Sequence, residues 1–185
     1  MQLTRGNRVD LLINGEATFD SIIEGIEVAE KYIFFQFYMI HDDGLGRRIK
    51  DALIERAQTG VRVHVLYDEI GSGGLSSKYL EDLKAASIKV SSFKPTQGFR
   101  NQFQLNFRNH RKMVVVDGEV AWVGGHNVGD EYLGLDPDFS PWRDTHVRLE
   151  GPVVLQMQIL ILGDWYWATR EIPEVDWAPH VADGH

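Results

Sequence analysis

Asn109-His110-Arg111-Lys112-Met113-Val114-Val115-Val116-Asp117, followed after six residues by Gly124-Gly125-His126-Asn127, is the segment from which the rest of the chain is read. Its spacing is H-x-K-x4-D-x6-G-x2-N. Met113 to Val116 are uninterrupted apolar residues, mostly β-branched, and predict a buried strand. His110 and Lys112 stand two residues apart, so an extended backbone projects both from one face. Asp117-Gly118 marks a tight turn, and Glu119 to Val123 returns as a second strand that brings Asn127 back beside the His/Lys pair. An imidazole, an ammonium and a carboxamide converging on one spot suit attack on a phosphodiester, as nucleophile, cation and oxyanion donor.

Outward from this hairpin the chain alternates strands and helices. Strands are predicted at Val9–Ile13, Tyr32–Ile40, Val61–Asp68, Ile88–Phe93 and Arg143–Leu149. Helices are predicted at Glu16–Lys31, Leu45–Thr59, Leu75–Ala86 and from Pro152 to about Arg170. Apolar residues recur at helical spacing in the first two (Phe19, Ile22, Ile23, Ile26; Leu45, Ile49, Leu53, Ala57), and Gly60 stops the second. This alternation implies an α/β fold with a mixed, partly parallel β-sheet flanked by helices. Residues 94–106 and 133–141 have no period and read as loops, the first lying over the site. Residues 1–170 are expected to form one domain, and 171–185, with Pro173, Pro179 and a terminal Gly184-His185, a poorly ordered tail.

Composition bounds the function. The 185 residues suffice for one domain with a sizeable core. With no cysteine in the chain, disulfides, thiolate metal sites and cysteine nucleophiles are excluded. No apolar run approaches the ~20 residues that span a bilayer, and Met1-Gln2-Leu3-Thr4-Arg5 does not read as a signal peptide. The formal net charge of −8 argues against a general nucleic-acid binder. Between Asp82 and Asp117, however, no acidic residue occurs, while Lys84, Lys89, Lys94, Arg100, Arg108, Arg111 and Lys112 all do; the reactive segment is a basic island that attracts anions. No spacing such as H-E-x-x-H is present, so metal-independent chemistry without a cofactor is expected. Gly71-Ser72-Gly73-Gly74 lacks the Gly-Lys-Ser/Thr ending of a phosphate loop.

The spaced motif resembles that of the phospholipase D superfamily. Its flanks, Phe107–Lys112, Gly124–Tyr132 and Trp142–Pro152, together with Asp42-Asp43-Gly44-Leu45-Gly46 and Leu66–Ser72, are similar to the first catalytic half of bacterial cardiolipin synthases, over about Val9 to Arg170. The resemblance implies a phospholipase D-like fold and transfer of a phosphatidyl group between phosphatidylglycerol molecules through a phosphohistidine on His110. Lys112 and Asn127 would hold the phosphate oxygens, and Asp144 would orient His110. Asp117, though part of the motif, reads as a structural residue of the hairpin. Gly125 stands where many superfamily members carry serine, so one hydroxyl donor to phosphate is absent and a backbone N–H would have to replace it. Arg100 and Arg108, interleaved with Phe99, Phe103 and Phe107, are expected to meet an anionic phospholipid surface.

The motif occurs once, whereas superfamily phospholipases place the site between two motif-bearing halves. The chain is therefore expected to need a second half or a homodimer partner, and the full-length protein to associate with the bacterial cytoplasmic membrane. A second reading is a phosphodiesterase acting as a homodimer on lipid or nucleic acid; a third is a non-catalytic docking module, which the intact His110, Lys112 and Asn127 disfavour. His126 and His146 are read evenly between lining the pocket and packing, and Trp165, Tyr166 and Trp167 as core.

Overall fold

The structure, a computed structural model, describes residues 4–93 and 109–182. Among these residues seven strands form one mixed sheet: β1 Arg8–Ile13, β2 Tyr32–Phe37, β3 Arg62–Asp68, β4 Lys89–Phe93, β5 Met113–Val116, β6 Val120–Gly124 and β7 Thr145–Glu150, in the order β1-β7-β6-β5-β2-β3-β4. β2, β3 and β4 are parallel. β5 joins β2 antiparallel, and β6, β7 and β1 continue antiparallel to the other edge. The expected mixed, partly parallel α/β sheet is what the chain forms. The helices are α1 Asn14–Glu27, α2 Gly44–Gln58, α3 Ser77–Ala85 and α4 Val153–Thr169, with a short 3-10 turn at Asp130–Leu133 that the sequence reading did not foresee.

Every residue of β2 is buried, as befits a central strand covered on both faces. Its odd-numbered residues Ile33, Phe35 and Phe37 join Phe19, Ile22, Ile26, Leu45, Ile49 and Leu53 in one core with α1 to α3. Tyr32 and Phe34 point the other way and join Met113, Val115, Leu149, Val154 and Ile161 under α4. The two-residue period of the strands thus sorts the apolar residues into two layers.

The Asp117-Gly118 turn closes β5 onto β6 with both residues at positive φ, +55° and +75°, and Glu119 N–H bonded to Val116 O at 3.0 Å. This is the doubly left-handed geometry that suits a two-residue hairpin, and Asp and Gly tolerate it. The α1 helix stops at Glu27, four residues short of expectation. Residues 30–32 are held instead by Asp117: Oδ2 accepts from Glu30 N–H, and Oδ1 from Lys31 and Tyr32 N–H, all at 2.8 Å.

Residues 171–182, expected to be poorly ordered, lie against the body. Arg62 donates to Glu174 O at 2.7 Å, Gln158 to Asp176 O at 2.8 Å, and Ala182 N–H to Gly6 O at 3.1 Å. Asp176 N–H donates to the Tyr32 hydroxyl at 3.1 Å. Composition pointed to a loose tail, but polar groups distant in sequence give this segment's backbone its partners.

Candidate active site

Strands β2 and β3 end, and β5 begins, at one rim of the sheet, and the residues leading into β5 bring His110 and Lys112 there. His110 is exposed, and its ring packs on Tyr38 with centroids 4.4 Å apart. Lys112 is buried, its Nζ 2.9 Å from His110 Nδ1, 3.3 Å from Nε2 and 3.0 Å from His110 O. Burial pushes the Lys112 ammonium down to about 8, against the opposing pull of the Asp144 carboxylate. Partial burial and the neighbouring ammonium lower the His110 pKa, with Asp68 opposing. His110 is thus held neutral at cellular pH beside a cation, the protonation state a nitrogen nucleophile needs.

Asn127 reaches the same rim on the return limb. Its Oδ1 accepts from Met39 N–H at 3.3 Å and its Nδ2 donates to the Tyr132 hydroxyl at 2.8 Å. Val128 bridges to Ile40 in parallel pairing, knitting this limb to the segment after β2. Asp130 accepts from Gly44 and Leu45 N–H at 3.1 and 2.7 Å, anchoring the start of α2.

Asp144 has a different placement from the one expected. No hydrogen bond joins it to His110 among the described residues. Its Oδ1 accepts from Thr145 N–H at 2.7 Å, and the carboxylate lies over Gly125, where an added Cβ would sit 2.1 Å from Oδ1. A serine at position 125 would therefore require the Asp144 carboxylate to shift. The Gly125 N–H is committed to Thr145 O at 3.1 Å, so it does not replace the serine hydroxyl as a phosphate donor. The Asp144 carboxylate raises the pKa values of Lys112, His126 and His146 against the lowering effect of burial.

The carboxylate that does influence His110 is Asp68, a residue to which the sequence reading gave no role. Buried at the end of β3, it accepts from Ile70 and Gly71 N–H at 3.0 Å each and from Asn109 N–H at 3.3 Å. It pins the residue before His110 to the strand two places away. The only signal in the chain was an acidic residue terminating an alternating apolar strand. Ser72, in the glycine-rich stretch, bonds Tyr38 O and Ile40 N–H and so serves the backbone.

His126 and His146 do not line the pocket. They are 0% and 1% exposed, and face each other with Nδ1 atoms 3.0 Å apart. Burial lowers both pKa values, that of His146 to about 3. Trp165 is core as expected, but Trp167 joins Phe93, Asn109, His110, Arg111, Gly163 and Asp164 around a cavity of about 320 Å³. Arg111 pairs with Asp164 there, and Gln36 donates to the same carboxylate at 2.8 Å. Asp117 stands at the opposite end of β5, about 16 Å of extended chain from Lys112, with its oxygens given to backbone N–H groups. Arg100, Arg108 and the whole 94–108 stretch, with its expected membrane contact, lie outside the described residues.

A mixed α/β sheet with a histidine–lysine pair at the strand ends defines a phospholipase D-like domain, and solved structures share its fold. NucT from Helicobacter pylori superposes with a TM-score of 0.68 at 16% identity, covering 88% of this chain and 98% of that one. NUC from Salmonella typhimurium, a phospholipase D family member, does so with a TM-score of 0.63 at 15% identity, covering 88% and 96%. The chain belongs to the family of cardiolipin synthase PLD-like domains, whose model matches residues 22–139. It is 51% identical over 173 residues to cardiolipin synthase A of Pseudomonas fluorescens strain Pf-5 and to that of Pseudomonas syringae pv. syringae strain B728a, covering 94% of this chain and 36% of each relative. The chain thus spans about a third of the length of these relatives.

Proposed function

We propose that this domain supplies the nucleophilic half of a phosphatidyltransferase of the cardiolipin synthase type, with phosphatidylglycerol as donor and acceptor. The observation that carries the reading is the exposed, neutral-favouring His110 with the buried Lys112 ammonium 2.9 Å from its ring. A His110 ring nitrogen attacks phosphorus, the P–N bond forms, and the P–O bond to the departing glycerol breaks. Lys112 and an N–H of Asn127 take up the charge that develops on the non-bridging oxygens. The terminal hydroxyl of a second phosphatidylglycerol then attacks the phosphorus, a P–O bond replaces the P–N bond, and cardiolipin leaves. Substitution of water in this last step gives hydrolysis to phosphatidic acid with the same residues.

Each half-reaction needs a proton at a defined place: given to the glycerol oxygen in the first, taken from the incoming hydroxyl in the second. The nearby imidazoles His126 and His146 are sealed from solvent, so neither reaches substrate. A second motif-bearing half is the natural source of that acid–base group. Partnership with such a half and with an anionic lipid surface, and membrane association of the full-length protein, follow from this reading; no described helix is long and apolar enough to cross a bilayer.

The test is product analysis with phosphatidylglycerol carrying label in the headgroup glycerol, using the full-length protein. One glycerol released per cardiolipin formed is expected, and none from His110→Ala. Phosphatidic acid as the sole lipid product would replace transfer by hydrolysis, and cleavage of an oligonucleotide in preference to lipid would replace both.

A further inference from the structure

We propose that the cavity between the end of β4 and α4 holds the diacylglycerol part of the phosphatidyl group, with Asn109 and Arg111 donating hydrogen bonds to its ester carbonyls. The proposal rests on the phosphatidyltransferase reading. His110 itself lines this cavity of about 320 Å³, together with the polar Asn109, Arg111 and Asp164 and the aromatic Phe93 and Trp167. Displacement at phosphorus decides which part of the substrate belongs there. The bond to the departing glycerol lies opposite the attacking His110 nitrogen, and the second phosphatidylglycerol enters along the same line. Both alcohols are therefore on the side of phosphorus away from His110. The groups flanking the imidazole are the three that phosphorus keeps throughout: two non-bridging oxygens, taken up by Lys112 and Asn127, and the oxygen that carries diacylglycerol. A cavity walled by His110 goes with the third.

Its chemistry fits that group. Asp164 is already matched: Arg111 Nη1 donates to its Oδ2 at 2.6 Å, and Gln36 donates to the same oxygen at 2.8 Å. The ion pair leaves no net charge to draw in a phosphate or an ammonium. What it leaves is donors. Asn109 Oδ1 accepts from Arg111 N–H at 3.2 Å, but its buried Nδ2 has no partner among the described residues, and a buried donor left unmatched is costly. A guanidinium carries five N–H groups, and Asp164 occupies only those of Nη1. Ester carbonyls accept and never donate, so the two on one diacylglycerol match the two donors. Phe93 and Trp167, stacked with centroids 4.2 Å apart, give apolar surface where the first methylenes of the acyl chains would follow.

Competition between diester phosphatidylglycerol and its diether analogue, mixed in one vesicle and presented to the full-length protein, tests the assignment. The analogue keeps headgroup, phosphate and chains and lacks only the carbonyls. Their relative consumption, whether to cardiolipin or to phosphatidic acid, gives the ratio of the two kcat/KM values, in which a general loss of activity or of folded protein cancels. Wild type is expected to prefer the diester at least roughly tenfold, because the analogue leaves both donors unpaired. Asn109→Ala and Arg111→Met should each lower that ratio at least roughly threefold, and the double variant should bring it close to one. No preference for the diester in wild type, or a preference that both variants retain, would overturn the assignment and leave the transferase reading in place. Consumption of neither lipid by wild type would bring down that reading and this one with it.

Discussion

Burial strips solvation from the Lys112 ammonium, and Asp144 restores part of its basicity; the two effects leave it protonated only below about 8. His110 beside it titrates below the ordinary imidazole range, so the reactive state, neutral imidazole with charged ammonium, lies between those two limits. Activity of the assembled enzyme is therefore expected to rise with pH as His110 loses its proton and to fall above about pH 8 as Lys112 loses its own. In Asp144→Asn the carboxylate that raises the Lys112 pKa is gone, and the alkaline limb should move to lower pH with the acid limb nearly fixed. A shift of the acid limb instead would mean that Asp144 acts on His110 after all. Gly125→Ser probes the same contact sterically: its Cβ would meet Asp144 Oδ1 at 2.1 Å, far inside contact distance. We expect at least a roughly tenfold loss of kcat, from the displaced charge that positions the transition state; retained activity would show that Asp144 yields without consequence.

Among the elements, the β5–β6 hairpin was legible almost to the residue, because an uninterrupted apolar run, an Asp-Gly turn and a glycine-rich return are all local signals. What failed was whatever depended on distant groups. The end of α1 was misplaced because Asp117 binds residues 30–32 from 85 to 87 positions away. The role of Asp68 was invisible because its ligand, Asn109 N–H, lies 41 residues on. The resemblance implies that Asp144 orients His110, but sequence order does not say which face of the rim a carboxylate occupies, and among the described residues Asp144 bonds Thr145 N–H. Asp117→Ala should cost about 3 kcal/mol, since hydrogen bonds from three N–H groups to a charge, that of the buried Tyr32 among them, are lost together. Asp117→Asn should cost less, keeping one acceptor oxygen and the left-handed backbone. Urea unfolding measures both; native stability in the Ala variant with lost His110 reactivity would instead give Asp117 a direct chemical role.

The whole molecule carries a pH signature in its buried histidines. His64, stacked on Phe34 at 4.8 Å and edge-on to Trp165, has its pKa pushed down to about 4 by burial first and then by Lys89 and Arg62. His146 is driven to about 3. Folded values below the unfolded ~6.5 mean that the unfolded chain binds more protons in that interval, so stability is complete above pH 6.5 and declines as pH falls toward the folded values. His64 alone should remove about 2 kcal/mol between pH 7.5 and pH 5. Unfolding of His64→Phe at those two pH values should show a smaller difference than wild type, while an unchanged difference would mean that His64 is protonated without cost in the folded chain.

The nucleophilic step can be isolated from the missing acid by giving it a leaving group that needs none. A 4-nitrophenyl phosphodiester departs as the phenolate, so His110 should attack, the P–N bond form and the P–O bond break without a second imidazole. Quenched in alkaline denaturant, under which phosphohistidine survives, and mapped by peptide mass spectrometry, wild-type chain should carry the phosphodiester adduct on His110 in a stoichiometric burst of nitrophenolate, with Lys112→Ala slowed and His110→Ala unlabelled. An adduct elsewhere, or nitrophenolate release by His110→Ala at the wild-type rate, would contradict the assignment of His110 as nucleophile.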